Sequence, residues 1–357
     1  MTFRNRPFLT YLFQIAIFLG FIGCLSPIEI PVEIAGGRLV VSGQISTLSD
    51  QSIIELGITA NSLRLPFPES FATILLFDDQ ENAFPYLEDK QIPGRYLLSG
   101  ASGIPGRNYH IEITLLNGRK YSSVPETMPS GSELSSTYYE MVKEETVDLE
   151  GAFTTKEFIK IYADSKITSD KTTFLKWNVQ EAFILSPTDY PDPFGYTPPP
   201  CFIIQNADPQ RVAQFDGSAI STSSIQGQLV ASREIDWTFI EKHYFTTYQS
   251  SITKEALEYW RKVNILGSKV GSIFDTPPAE ITGNILNSND PSEKTLGYFQ
   301  VANQSYNRFV IYQSNLLSPI LYGKCDFDGS WNPNHYPGRC IDCLSLLNSS
   351  YNRPDWF

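Results

Sequence analysis

The chain has 357 residues and carries 27 Lys and Arg against 39 Asp and Glu, a formal net charge of −12. Such an acidic chain, with no basic cluster, is not expected to bind nucleic acid, because that binding depends on clustered cations that displace the counterions of the phosphates. With 41% hydrophobic and 13% aromatic residues, the chain has enough apolar side chains for folded cores and is not a disordered protein.

The first 24 residues have the pattern of an export signal. Two arginines precede a mostly apolar run over residues 8–22, which is shorter than the roughly 20 residues that cross a bilayer. This pattern favours a cleaved signal peptide over residues 1–23. The run ends in Gly23-Cys24, which resembles the lipobox of bacterial lipoproteins, so we expect Cys24 to be lipidated and to begin the mature protein. The alternative is an N-terminal membrane anchor that is not cleaved.

Strand-like segments follow the lipid anchor. Residues 24–37 contain prolines and glycines and read as a short tether. Residues 38–128 then hold a series of short segments rich in β-branched residues, with no helical periodicity. Asn117-Gly118 is the clearest hairpin signal, because both residues tolerate the positive φ of a type I′ turn. The sequence therefore predicts an immunoglobulin-like β-sandwich over residues 38–128.

A second β-rich, sandwich-like domain is predicted for residues 129–357. One helix stands out near residues 253–266, where Ser251 or Thr253 can cap the N-terminus, Glu255 lies in the first turn and Gly267 follows the last turn. The apolar residues of this helix recur at helical spacing, so we expect them to pack on the sheet of the second domain.

A proline-rich interval of the second domain displays three aromatic residues. Residues 186–200 hold six prolines around Tyr190, Phe194 and Tyr196. Because proline withholds a backbone donor and favours extended chain, the interval is predicted to be an exposed loop. Its aromatic side chains are candidates for contact with a ligand or a partner protein, and packing against their own domain is the alternative.

Once Cys24 is assigned to lipid, four cysteines remain: Cys201, Cys325, Cys340 and Cys343. In an exported protein this number favours two disulfides, with a preference for Cys201 bonded to a cysteine of the tail over residues 325–357. The alternative is a Cys3His zinc centre formed by the three tail cysteines and His335, since two of those cysteines have the Cys-x-x-Cys spacing of zinc ligands. We favour the disulfides and predict no metal and no cofactor.

Several motifs of the C-terminal half resemble those of a known family. They are Tyr259-Trp260, residues 272–278 (SIFDTPP), residues 281–285 (ITGNI), residues 296–299 (LGYF) and the final residues 353–357 (RPDWF). The series resembles the Bacteroidetes outer-membrane lipoproteins with a domain of unknown function, which are typically encoded next to TonB-dependent receptors of the starch-utilisation type. This resemblance implies an outer-membrane location, with such a receptor as the partner. The residues after Cys24 do not decide which face of the membrane the protein occupies, and we expect the cell surface.

No hydrolase, phosphate-binding or dinucleotide-binding motif is present in the sequence. Elimination together with the resemblance predicts a non-enzymatic lipoprotein that serves a TonB-dependent transporter in nutrient uptake, as a lid or as a ligand-capture subunit. Two alternatives stay open at this point. One is a surface hydrolase that acts on glycan or peptide, and the other is a structural or adhesive protein of the envelope.

Overall fold

The computed structural model describes residues 37–59, 66–147, 151–167, 173–186, 199–219, 222–268, 281–320 and 343–357. The protein is mainly β, with 56% of residues in strands, and this part of the prediction is confirmed. The strands are β1 (Leu39–Ser46), β2 (Ile53–Ile58), β3 (Phe67–Pro68), β4 (Thr73–Asp78), β5 (Ala83–Glu88), β6 (Arg95–Leu98), β7 (Asn108–Thr114), β8 (Lys120–Ser123), β9 (Glu126–Thr127), β10 (Glu133–Val147), β11 (Phe153–Lys166), β12 (Phe174–Leu185), β13 (Cys201–Asn206), β14 (Ala213–Asp216), β15 (Ser224–Glu234), β16 (His243–Ile252), β17 (Thr282–Asn287), β18 (Lys294–Ile311) and β19 (Ser349–Ser350).

The α-helix α1 spans Lys254–Ser268, and short 3-10 helices lie at Ser49–Gln51, Trp237–Phe239, Gln313–Asn315 and Cys343–Ser345. Within the described ranges, none of the helices combines the length and the apolar composition that a membrane-crossing helix needs.

Nine strands form a closed barrel. Around the ring they follow the order β1, β2, β6, β5, β4, β7, β8, β17 and β18, and β18 pairs with β1 to complete it. Neighbouring strands are antiparallel except for β1 and β18, which are parallel. An odd number of strands cannot alternate in direction all the way around a ring, so one parallel pair is a geometric requirement of this closure. The buried side chains of the interior include Leu39, Val41, Ile54, Leu76, Ile111 and Phe299.

The predicted immunoglobulin-like sandwich over residues 38–128 is therefore wrong. A sandwich leaves the edges of its two sheets unpaired, whereas here β1 and β8 both receive a partner from the part of the chain beyond residue 280. The strands themselves lie close to where the alternation of apolar and polar residues predicts them. This alternation does not show which distant strand pairs with which edge of the sheet. That pairing is what distinguishes a barrel from a sandwich.

Strand β18 belongs to both halves of the fold. Its residues 296–302 pair with β1 in the barrel, and its residues 303–311 pair with β16 in a second sheet. That sheet continues through β12 and β13 to β19, and β14 lies beside β12. A three-stranded sheet of β10, β11 and β15 covers one of its faces, and the two share a core that includes Ile159, Ile161, Trp177, Val230 and Phe245. The other face of the second sheet carries the candidate site described below.

The helix α1 confirms the predicted helix near residues 253–266. The hydroxyl of Thr253 accepts a hydrogen bond of 3.2 Å from the backbone N–H of Ala256, as an N-cap residue does. The buried face of the helix, with Leu257, packs against Ile252 of β16 and Tyr298 of β18. The helix therefore covers the place where the barrel meets the second sheet.

The barrel closes through unusually close backbone contacts. Gly297 of β18 has a φ of +91°, and a Cβ atom built on it would lie 1.9 Å from the carbonyl oxygen of Val41. A Cβ atom on Gly283 of β17 would lie 1.5 Å from the carbonyl oxygen of Gly297. The side-chain amide of Asn284 hydrogen-bonds both the N–H and the C=O of Phe299, at 2.9 and 2.8 Å, where the register of β17 and β18 is irregular. Only glycine fits at the two crossing points.

We expect Gly297→Ala to destabilise the protein by about 2–5 kcal/mol, because the new methyl group adds a backbone clash to the strain of a positive φ. Gly118→Ala is the matched control: Gly118 has a φ of +85° but open space around its Cβ position, so the control carries the strain alone, about 1–2 kcal/mol. Urea unfolding followed by circular dichroism measures both. Equal losses for the two variants would contradict the proposed close packing at the closure.

Candidate functional site

Most of the residues predicted to carry function lie outside the described residues. They are Cys24, Tyr190, Phe194, Tyr196, Cys325 and Cys340. The interval that holds the three aromatic residues leaves the described chain after Ser186 and rejoins it at Pro199. Its flanking residues Ser186 and Pro200 line a cavity of about 700 Å³ together with Phe357. The predicted role of these aromatic residues stays a prediction.

Cys201 and Cys343 form a disulfide, with Cα atoms 5.8 Å apart. Both residues are buried, and the bond ties the last part of the chain to β13 of the second sheet. This is a pairing of the kind that the sequence favours, a bond from Cys201 to a tail cysteine. Because Cys343 is committed to the disulfide, it is not free to bind zinc as in the alternative. Among the residues that the structure describes, no three His, Cys, Asp or Glu side chains cluster in a way that could hold a metal ion.

A buried ionic cluster joins the two sheets of the second half. Glu181 of β12 accepts hydrogen bonds from Arg233 at 2.7 Å, from His243 at 3.0 Å and from Gln205 at 2.7 Å. Burial raises the pKa of Glu181, but the hydrogen bond from His243 and the charge of Arg233 outweigh it, so the pKa lies below its ordinary value. The ring of His243 stacks on Phe239, with centroids 3.8 Å apart. The carboxylate of Glu181 is paired with Arg233 inside this enclosed cluster. The cluster is therefore a structural link between the two sheets.

A second buried acid, Glu126, lies in a cleft of about 630 Å³ between the barrel and α1. It is bonded to the hydroxyl of Tyr298, to Thr253 at 2.9 Å and to Asn284 at 3.3 Å. Burial raises the pKa of Glu126, and these hydrogen bonds only partly oppose it. Because Tyr298 and Asn284 belong to barrel strands and Thr253 caps α1, the carboxyl group joins the barrel to the start of the helix.

The candidate site is the other face of the second sheet, which we call the trough. Its floor consists of three rows of side chains that lie next to each other across β12, β16 and β18. The rows are Lys176, Ser250 and Gln304, then Asn178, Tyr248 and Tyr306, then Gln180, Thr246 and Arg308. Side-chain contacts across the strands confirm that they share a face: Gln304 donates to Ser250 at 2.8 Å, and the rings of Tyr248 and Tyr306 have centroids 5.9 Å apart.

Two aromatic groups bound the trough at its ends. At one end α1 places the indole of Trp260 under Lys176, with the ammonium nitrogen 3.9 Å from the ring centroid. At the other end Trp356 lies against Arg308, with the guanidinium carbon 3.6 Å from the ring centroid. The adjacent Phe357 packs on Tyr244, with centroids 4.7 Å apart. Both cations therefore rest on the face of a tryptophan.

The barrel supplies one side wall of the trough. Gln51, at the end of the first 3-10 helix, donates to the hydroxyl of Tyr248 at 3.3 Å. Gln44 of β1 donates to Gln304 at 3.2 Å and accepts from Gln300 at 3.1 Å, and Gln300 accepts in turn from Trp260 at 2.8 Å. This chain of side-chain hydrogen bonds connects the barrel, the floor and the helix.

The charge of the floor is positive although the chain as a whole is acidic. Its nine residues include Lys176 and Arg308 and no acid. In the part of the chain that the structure describes, neither cation forms an ion pair with a carboxylate. Burial raises the pKa of Tyr248, the charge of Asp50 on the barrel side acts in the same direction, and Arg308 opposes both. Burial lowers the pKa of Lys176 to about 7.

The model of the family described as Domain of unknown function (DUF4249) matches residues 26–308. The chain belongs to this family. No curated protein matches the sequence. In this DUF4249 protein the matched residues take in all nine floor residues and Trp260, whereas Trp356 lies beyond them.

The trough of the DUF4249 protein is not among the features predicted from its sequence, although the sequence holds a signal for it. Strand β12 alternates apolar residues with Lys176, Asn178 and Gln180, and the apolar set faces the shared core. A strand whose second face is this polar and only half-buried suggests a surface for water or a ligand. The contribution of Arg308 and Trp356 could not be found in this way, because it depends on the pairing of β16 with β18 and on the path of the last residues.

Lys176→Met is expected to stabilise the protein near neutral pH, and the gain should shrink as the pH rises. The pKa of Lys176 is about 7 in the folded protein, against an ordinary value of 10.5 for lysine. Between these two pH values the unfolded chain binds more protons than the folded one, so the free energy of unfolding of the wild type rises with pH. We expect a gain on the order of 1 kcal/mol at pH 6.5, after allowance for screening, and a smaller gain at pH 9.5.

Urea unfolding of both proteins at the two pH values measures this difference. Lys254→Met, at the exposed start of α1, is the control for the loss of a lysine charge. A stability difference between wild type and Lys176→Met that stays constant between pH 6.5 and 9.5 would show that Lys176 is not held in an environment that disfavours its charge.

Proposed function

We propose that this protein is a non-enzymatic lipoprotein of the outer membrane that captures a ligand for a TonB-dependent transporter of the starch-utilisation type. Lipid on Cys24 would hold it at the cell surface, and the transporter would be its partner in nutrient uptake. The observation that carries the location is the apolar run that ends in Gly23-Cys24. The resemblance of its motifs to outer-membrane lipoproteins of the Bacteroidetes supports the choice of partner.

The trough supports the choice of ligand capture over a purely structural role. A structural surface needs no half-buried cation without a carboxylate partner, because such a group costs free energy of folding. Lys176 and Arg308 on aromatic platforms are instead the kind of groups that bind a ligand of opposite charge. The side chains of the floor are held in place by hydrogen bonds before any ligand arrives, which limits the entropic cost of binding.

We expect Cys24→Ser to abolish lipid attachment and to move the protein out of the outer-membrane fraction, because a thiol is needed for acylation. Ser26→Ala is the matched control and should leave attachment unchanged. In the native host, the measurements are mass spectrometry of the mature N-terminus and a native pull-down from detergent-solubilised outer membranes. The wild type should carry acyl groups on its first residue and co-purify with a TonB-dependent transporter.

The lipid anchor and the transporter partner are refuted by different results. An intact leader on the wild type, or membrane attachment that survives Cys24→Ser, would refute the lipid anchor in favour of an uncleaved N-terminal segment. A correctly lipidated wild type that co-purifies with no transporter would refute the partner and leave the anchor standing.

A further inference from the structure

We propose that the trough binds an oligosaccharide that carries carboxylate groups. This inference names the ligand class for the capture role proposed above and rests on it for its biological meaning. The binding itself is a property of the folded protein and does not require the transporter.

The charge of the trough selects for an anion. The chain has a net charge of −12, yet the floor between α1 and the last residues presents Lys176 and Arg308 with no acid among its nine residues. The guanidinium of Arg308 donates to Thr246 at 2.7 Å from its Nε atom, which fixes the group and leaves other donors of its planar fork for a ligand. Next to Lys176 in the register, Gln214 of β14 has a buried amide nitrogen without a hydrogen-bond partner in the described chain. A carboxylate over this floor would meet donors from both ends.

The rest of the floor favours a sugar over a peptide. Peptides that bind to sheets usually add a strand at an edge and bond through their backbone. Here the backbones of β12, β16 and β18 are paired with one another, so a ligand on the face can bond only to side chains. Those side chains are amides and hydroxyls, such as Asn178, Gln180 and Gln304, which suit the closely spaced hydroxyl groups of a saccharide.

Aromatic rings at the end of the trough where Trp356 lies suit the apolar faces of sugar rings. Tyr306 is 53% exposed and Trp356 is 37% exposed, and Arg308 lies between them. Two residues along a strand advance about 6.6 Å, so the floor from the first row to the third is about 13 Å long. This length accommodates several linked rings rather than one.

The test is isothermal titration of the full-length protein in detergent with a defined tetramer of galacturonic acid. The same tetramer with its carboxyl groups methyl-esterified is the neutral control ligand. We expect the acidic tetramer to bind, and Arg308→Gln to weaken it about tenfold or more, the scale of one charge-assisted hydrogen bond. Arg119→Gln makes the same change of charge on the barrel hairpin between β7 and β8 and should leave the affinity unchanged.

Tyr306→Ala provides a second, independent test, because this half-exposed side chain can be removed without opening a core. We expect it to weaken binding of the acidic tetramer about fivefold through loss of ring contact. If circular dichroism shows that Arg308→Gln is not folded, Tyr306→Ala and the comparison with the methyl ester together test whether the trough binds the acidic tetramer.

Three outcomes would overturn the inference. Absence of binding of the acidic tetramer would refute it, and so would equal affinity for the ester, since charge would then play no part. Equal binding of tetraglutamate, with the same loss in Arg308→Gln, would identify the trough as a site for acidic peptides instead. A protein that binds the acidic tetramer but co-purifies with no transporter would keep this inference and lose the proposed partner.

Discussion

The parallel pairing of β1 with β18 is the constraint on which the rest of the structure depends. A ring of nine strands needs one parallel pair, and a parallel neighbour cannot be supplied by a hairpin. The partner of β1 must therefore come from a distant part of the chain, and it comes from residues 296–302 of β18. Gly297 and Gly283 allow the three backbones to approach there, and Asn284 satisfies the backbone groups of Phe299 where the ladder is irregular.

The same strand sets the position of the trough. Because side chains of a strand alternate between faces, the outer face of β18 in the barrel becomes the open face of the second sheet. Tyr298, on that face, lies under α1, and Gln304 and Arg308 follow along the strand to form the floor. The barrel wall and the helix are thus fixed relative to the floor by one continuous strand and by the hydrogen bonds of Gln44, Gln300 and Trp260.

Local features of the fold could be predicted from the sequence, and long-range ones could not. The helix near residues 253–266 follows from its cap and its apolar spacing, and most strands follow from alternation and turn residues. The hairpin at Asn117-Gly118 is present, but Gly118 alone has a positive φ, so its turn is not of type I′. Barrel closure could not be predicted because β17 and β18 show nothing locally of their distant partners: Ile285 of β17 pairs with Ser123, and Leu296 of β18 pairs with Val40. The sandwich is the simpler interpretation of the same strands.

The candidate site was missed for the same physical reason. The sequence draws attention to displayed aromatic residues and cysteines, and of these the disulfide of Cys201 with Cys343 lies in the described structure. Lys176 and Arg308 are unremarkable in sequence, since one lies in the middle of β12 and the other near the end of β18. They share one surface because β16 lies between these two strands.

Native-state hydrogen exchange, resolved by residue, tests most directly whether β18 holds the barrel and the trough together as one unit. We expect the amide protons of the β1–β18 pair in the barrel and of the β16–β18 pair in the second sheet to exchange with the same free energy of opening, equal to that of global unfolding. Barrel amides at residues 40–46 that open at a clearly lower free energy, while those at residues 303–311 stay protected, would show that the barrel closes independently and would contradict this central role of β18.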